Sequence, residues 1–305
     1  MSRLFYAIAP TLFTEDGRLD AGAVAANVER AVSGGVSRFL LTGAYGEFQS
    51  LTDAERVRVV AAVRELAPRI EIMAGAVHPS TQATLLLAKR LFAAGADEVM
   101  VGPPSMAEVT DTDVLRHFQF LAARAEGSLA VYNNPIFGHD LEPGLVGRLA
   151  ELGSYTSIKQ GTPSMGYLLV SISAARSGSG SLRVLAASDL SALVSLAAGV
   201  DGLTSTNYWA FPEAITSMAA HAATSNHAQA NAIHRALTPY FDSVRALGQP
   251  RAIKAAMTLR SYAGTSMVRL PYEPLSEVET RHLKEVVAGV DETLAGLGHL
   301  GSQTS

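Results

Sequence analysis

Cysteine is absent from the chain, which excludes disulfides, thiol nucleophiles and cysteine-ligated metal. Charge is sparse: 17% of residues are Asp, Glu, Lys or Arg, the net charge is −4, and no run of basic residues occurs. Nucleic acid and anionic membrane surfaces call for a clustered positive field, so neither is an expected partner. No stretch approaches the ~18 uninterrupted apolar residues of a membrane span. The opening segment, Met1 to Pro10, runs straight into polar sequence and is too short for a secretory apolar region. The expectation is a cytoplasmic protein. Pairings such as His-x-x-x-His are missing, so His78, His139 and Asp189 do not make a metal site. The glycine-rich dinucleotide fingerprint is missing after the first strand, where Ala9-Pro-Thr-Leu-Phe13 stands instead. No metal and no cofactor are expected.

Apolar residue is plentiful, 48% of 305 residues. That suits a large core, and a single barrel of ~250 residues with an extension fits the length. Short apolar runs alternate with helical periodicities. Strands are expected at Phe5–Ala9, Val36–Leu41, Ile70–Ala76, Glu98–Val101, Leu129–Tyr132, Tyr155–Gly161, Leu182–Ala186 and Val200–Thr204. Between them lie helices. Asp20 caps one that runs to Ser33, and Thr52-Asp-Ala-Glu55 forms a capping box ahead of Ala54–Leu66. Further helices are expected at Ser80–Ala94, Asp111–Ala125, Pro143–Leu152, Pro163–Ser177 and Leu190–Ala198. Buried strands alternating with helices make a parallel sheet. Eight such units point to a closed (β/α)8 TIM barrel, with an open doubly wound sheet as the structural alternative. After Pro212 come helical stretches at 213–225, 227–246, 250–262 and 276–297. The expected division is a barrel over 1–222 and a C-terminal helical extension over 223–305, packed on the barrel. Such an extension suggests a homo-oligomer, dimer or tetramer. The tail from Gly298 is expected to be disordered.

Barrel chemistry sits at the C-terminal ends of the strands. Those ends supply Gly43, Ala44 and Tyr45, then His78, Ser105, Tyr132, Asn133, Lys159, Ser188, Asp189, Thr204 and Ser205. No arginine is among them. Lys159 stands out because a buried strand leads into it. A desolvated amine loses its charge readily and can attack a ketone. Position alone favours a structural role for Lys159 and a core role for Tyr132. Asp189 can bind a hydroxyl or cap the next helix, and Ser205 carries the same ambiguity.

The motifs Gly43-x-x-Gly46-Glu47, Tyr132-Asn-x-Pro135 and Ile158-Lys159 resemble, in order and spacing, the dihydrodipicolinate synthase / N-acetylneuraminate lyase superfamily of class I aldolases and dehydratases. Gly95-Ala-Asp97 and Gly199-Val-Asp-Gly202 add to the resemblance, which covers most of the chain. It implies an enzyme, a lyase whose Lys159 forms a Schiff base with pyruvate or another 2-oxo acid. Tyr132 would shuttle protons, and the Gly43–Glu47 turn would bind the substrate carboxylate. Glu47 would hold that turn through hydrogen bonds.

The sequence departs from the family in ways that bear on substrate. Ala44 and Tyr45 stand where many members carry two hydroxyl residues, which makes Tyr45 a second candidate proton relay. The arginine that the synthase proper places after Tyr-Asn-x-Pro is replaced by Ile136-Phe137-Gly138. This argues against dihydrodipicolinate synthesis and makes Phe137 a candidate substrate contact. Ser188, Asp189, Thr204 and Ser205 are the candidate polar contacts, which favours aldol cleavage, condensation or dehydration of a hydroxylated 2-oxo acid. A non-catalytic 2-oxo-acid-binding protein on the same barrel is the competing class.

Overall fold

The computed structural model describes residues 4–134, 140–162, 164–177 and 182–298. Eight parallel strands close on themselves in sequence order. They are β1 (Leu4–Ile8), β2 (Arg38–Leu41), β3 (Glu71–Gly75), β4 (Glu98–Val101), β5 (Ser128–Asn133), β6 (Tyr155–Gln160), β7 (Arg183–Ala186) and β8 (Gly202–Ser205). The closing pair is β1 with β8, with Tyr6 opposite Thr204. The chain is therefore a TIM barrel, and the open sheet is ruled out.

Each strand is followed by a helix, from α1 (Ala21–Ser33) through α2 (Asp53–Leu66), α3 (Thr81–Ala93), α4 (Asp111–Ala122), α5 (Pro143–Ala150), α6 (Met165–Arg176) and α7 (Ala192–Ala198) to α8 (Pro212–Ala223). The local signals act as their chemistry dictates. Asp20 accepts from the Ala23 amide at 2.9 Å, and Thr52 with Glu55 closes the capping box of α2. Strand β2 starts later than its apolar run, at Arg38. Gly35 takes φ +92° and the Val36 amide still bonds Ala31 O at 3.1 Å, so these residues belong to the exit of α1.

Alternation along each strand separates two cores. Phe39, Ile72, Val99, Val131 and Ile158 face the helices, in a large apolar shell. Tyr6, Ile8, Leu40, Met73, Met100, Ala130, Tyr132 and Leu185 fill the barrel interior. At the N-terminal end of the strands the residues are polar and paired. Arg38 Nε meets Glu71 Oε2 at 2.8 Å, Tyr6 hydrogen-bonds Glu71, and Ser157 donates to Glu98 at 2.8 Å. That end of the barrel is plugged, and the opposite end is left for chemistry.

Three more helices follow: α9 (His227–Leu247), α10 (Gln249–Leu259) and α11 (Glu277–Gly296). Arg260, just past α10, binds Asp291 of α11 with two bonds of 2.9 and 2.7 Å, and α11 also packs along α9. Arg269 reaches back to the barrel, making bonds of 2.9 and 2.6 Å to Glu55 of α2. No helix among the described residues is long and apolar enough to cross a membrane.

Candidate active site

Register brings the lysine and the phenol together. In the β5–β6 pair Tyr132 is the partner of Lys159, and their neighbours Val131 and Ile158 pack outward among the helices. Both side chains therefore turn inward. Lys159 Nζ lies 3.3 Å from Tyr132 Oη and 4.4 Å from the centre of its ring. The lysine is 2% exposed. Burial lowers its pKa from the ordinary range to about 7, with the Asp189 carboxylate pulling the other way. A large fraction of the amine is thus unprotonated near neutrality, with its lone pair available. The phenol is shifted in the opposite sense. Burial pushes Tyr132 up to about 12, while Asn134 Nδ2 donates to its oxygen at 3.2 Å. At neutral pH this group carries its proton and can pass it on.

The lysine opens onto a cavity of about 460 Å³, whose wall includes Tyr45, Asn134, Thr162, Ser188, Asp189, Thr206, Asn207, Arg245 and Gln249. Tyr45 is half-buried, and its phenol is raised to about 12 by burial and by the nearby Tyr132, Asp189 and Tyr272. Asp189 takes a 2.6 Å hydrogen bond from Asn207 Nδ2 and a further one from Ser205. Burial raises its pKa, and those two bonds hold it back. Its backbone carbonyl meets His234 Nε2 of α9 at 3.0 Å. Ser188 is exposed on the same wall.

Other expected contacts sit behind the wall. Thr204 is buried and donates to Ala186 O at 3.3 Å, and Ser205 Oγ accepts from the Tyr208 amide at 3.2 Å. They brace the strand ends and Asp189. Asn133 is buried as well. It donates to Gln160 and to Tyr167 at 3.1 Å each and accepts from the Leu141 amide at 3.0 Å. Phe137 and His139 lie outside the described residues, as does the tail beyond Gly298.

The turn after β2 is a short 3-10 coil over Ala44–Gly46. Its amides at Gly46 and Glu47 bond back to Gly43 O and Ala44 O at 2.9 and 3.1 Å. A Cβ at Gly43 would stand 2.5 Å from Leu40 Cδ2, so a larger residue there would have to displace that methyl group. Glu47 takes the left-handed φ of +53° and turns its side chain into the protein. There it pairs with Lys254 of α10, which is also fully buried. The Arg269 amide bonds its second oxygen at 3.1 Å, and Lys254 donates to Met267 O at 2.8 Å.

Two of these residues escape a strand-end inventory. Lys254 stands in an amphipathic helix where a lysine reads as solvated. The one available signal is that Ile253, Ala255 and Ala256 beside it are apolar or small, and all are buried. Arg245 lies in the last turn of α9 and so brings to the cavity the arginine that the strand ends lack.

The architecture and the motifs have relatives. Residues 1–289 match the model of the dihydrodipicolinate synthetase family. The chain belongs to that family. It is therefore an enzyme, a lyase of the Schiff-base aldolase type. It is 29% identical to the 4-hydroxy-tetrahydrodipicolinate synthase of Thermotoga neapolitana, over 90% of this chain and 94% of that one. Identity to the 4-hydroxy-tetrahydrodipicolinate synthase of Xanthomonas campestris is 32%, covering 90% of each chain. Among solved structures, a prophage protein of the dihydrodipicolinic acid synthase family from E. coli K12, in complex with pyruvate, superposes with a TM-score of 0.87. It shares 26% identity and covers 94% of this chain and 98% of its own. The synthase of Methylacidiphilum fumariolicum SolV shares the fold with a TM-score of 0.90 at 24% identity, over 98% and 99% of the two chains.

Proposed function

We propose that this family member forms a Schiff base between Lys159 and a pyruvate-type 2-oxo acid, and then makes or breaks a bond at C3. The neutral amine adds to the C2 carbonyl, whose oxygen leaves as water, and the resulting iminium draws electrons toward nitrogen. In the cleavage direction the C3–C4 bond breaks and its electron pair passes through C2 to that nitrogen. The C4 hydroxyl loses its proton and becomes an aldehyde. In dehydration the C3–C4 bond stays intact: the C3 proton is removed instead, and the resulting enamine expels the C4 hydroxyl, which takes a proton and leaves as water. Tyr132 carries protons at both stages, with Tyr45 as the alternative relay. The amides of Ala44 and Tyr45, after Gly43, hold the substrate carboxylate in a backbone concavity. Ser188 and Asp189 bind the substrate's hydroxyls from the cavity wall, and Thr204 and Ser205 hold that wall in place.

The observation that carries this reading is an amine with a pKa of about 7, out of water and 3.3 Å from a protonated phenol. The pyruvate complex of the E. coli relative supports the choice of ligand. A second reading, condensation of the dihydrodipicolinate synthase kind, is favoured by the names of the curated relatives. On either reading we place the enzyme in the cytoplasm as a homo-oligomer, to be checked by its solution mass.

Pyruvate with borohydride should add an irreversible mass that maps to Lys159 alone. An unmodified chain after such treatment would sink the proposal. A panel of hydroxylated 2-oxo acids, run against pyruvate plus the aldehyde acceptor of dihydrodipicolinate synthesis, then separates the two readings by turnover.

A further inference from the structure

The cavity above Lys159, about 460 Å³, lies within the range that encloses ligands of many heavy atoms, and a three-carbon acid would leave most of it empty. The cavity leaves room for an occupant that extends beyond the 2-oxo acid head. The wall is graded in charge. Near the lysine stand Asn134 and Asp189, and the Asp189 carboxylate is already engaged by Asn207 at 2.6 Å. The wall contributed by the C-terminal helices holds Arg245 from the last turn of α9 and Gln249 from the first turn of α10.

Among the described residues Arg245 forms an ion pair with Asp242 on the same helix, with Nη2 to Oδ1 at 2.9 Å. Both side chains are well exposed, 69% and 64%, so water screens the pair and holds it weakly. The guanidinium has five donors, and this contact uses one of them. The planar fork that remains suits a carboxylate better than a hydroxyl.

We propose that Arg245 determines specificity, and that the substrate is a 2-oxo acid with a second carboxylate at the far end of its chain. The 2-oxo group faces Lys159, the chain runs along the polar wall, and the distal carboxylate pairs with Arg245 while Gln249 stands beside it. This rests on the Schiff-base reading of Lys159.

The test compares matched acids by borohydride trapping at Lys159: 2-oxoglutarate with 2-oxopentanoate, and 2-oxoadipate with 2-oxohexanoate. Each pair differs in a terminal carboxylate against a methyl group. In the unaltered chain the diacid of at least one pair should half-saturate trapping at about tenfold lower concentration, the worth of one charge-assisted contact. Arg245→Gln should erase that preference, and Arg245→Lys, which keeps the charge without the fork, should keep part of it. Equal half-saturation within both pairs overturns the assignment, as does a preference that Arg245→Gln leaves intact. Pyruvate trapping by the unaltered chain is read separately. If it fails, the Schiff base itself is wrong; if it succeeds without a diacid preference, only the role of Arg245 is lost.

Discussion

Lys159 and Lys254 are buried to nearly the same degree, 2% and 0% exposed, and each lies over an aromatic ring, at 4.4 Å from Tyr132 and 4.2 Å from Phe13. Burial lowers both, to about 7 and about 8 respectively. What separates them is the partner. Lys254 pairs with the Glu47 carboxylate, whose charge raises its pKa back against burial and keeps it an ammonium at neutral pH. Lys159 faces a phenol. The carboxylate that raises its pKa, Asp189, is held by Asn207 and Ser205. Dryness is common to both lysines, so it does not by itself make a nucleophile. Chemistry requires a dry amine that no carboxylate holds in its charged form, with a proton carrier in reach.

The comparison can be broken most sharply at Lys159 itself. Lys159→Ala should remove the pyruvate adduct and lower turnover by on the order of 10⁴ or more, as losing a covalent nucleophile does. A residual adduct mapped to Lys254 would show that the two lysines had been assigned the wrong way round. Tyr132→Phe should slow turnover by roughly 10² to 10⁴ while the adduct still forms, because proton transfer is lost and the nucleophile is kept. An unchanged rate would hand the relay to Tyr45. At the other lysine, Lys254→Met should cost about 3–5 kcal/mol in a urea melt, since it strands the Glu47 carboxylate in the interior. Adding Glu47→Leu to it should recover most of that loss. Equal midpoints for the Lys254→Met and native chains would mean that the pair holds nothing together.

The smallest effect is one of pH. The native pKa of Lys159 is about 7 and that of an unfolded lysine ~10.4. Between those values the unfolded chain binds a proton that the native chain does not. Stability from this group therefore rises with pH from about 7 upward, and the cost of keeping the amine neutral is greatest at the low end of that window. Relative to Lys159→Met, the native chain should gain up to about 1.4 kcal/mol per pH unit between pH 8 and 9. The rate of pyruvate trapping should rise through an inflection near pH 7 as the free amine appears. A flat difference in stability would mean that the amine is charged in the native state.

The barrel was legible because its strands are apolar on both faces and are separated by capped helices, a pattern that a parallel sheet alone satisfies. The place of Lys159 was legible for the same reason, as a charged residue closing a buried run, whereas its catalytic role rested on the motifs around it. Arg245 and Lys254 were hidden because they belong to helices, where a cation every few residues is ordinary. Their surroundings depend on how three C-terminal helices fold back over the strand ends, and no local periodicity encodes that. Thr204 and Ser205 were visible as strand ends, but which of them faces the cavity depends on the loops above. Thr204 bonds Ala186 O at 3.3 Å, and Ser205 accepts from Tyr208 N at 3.2 Å and bonds Asp189, so both support the cavity wall without lining it.

The bond between Glu47 and Lys254 also sets an order of events during synthesis. Glu47 leaves the ribosome more than two hundred residues ahead of its lysine, and the Arg269 amide that binds its other oxygen comes later still. Until then the turn after β2 carries an unneutralised carboxylate that water must keep. A nascent chain with all eight strands already out would thus still lack both partners of that carboxylate, and a chain stopped after α8 would never gain them.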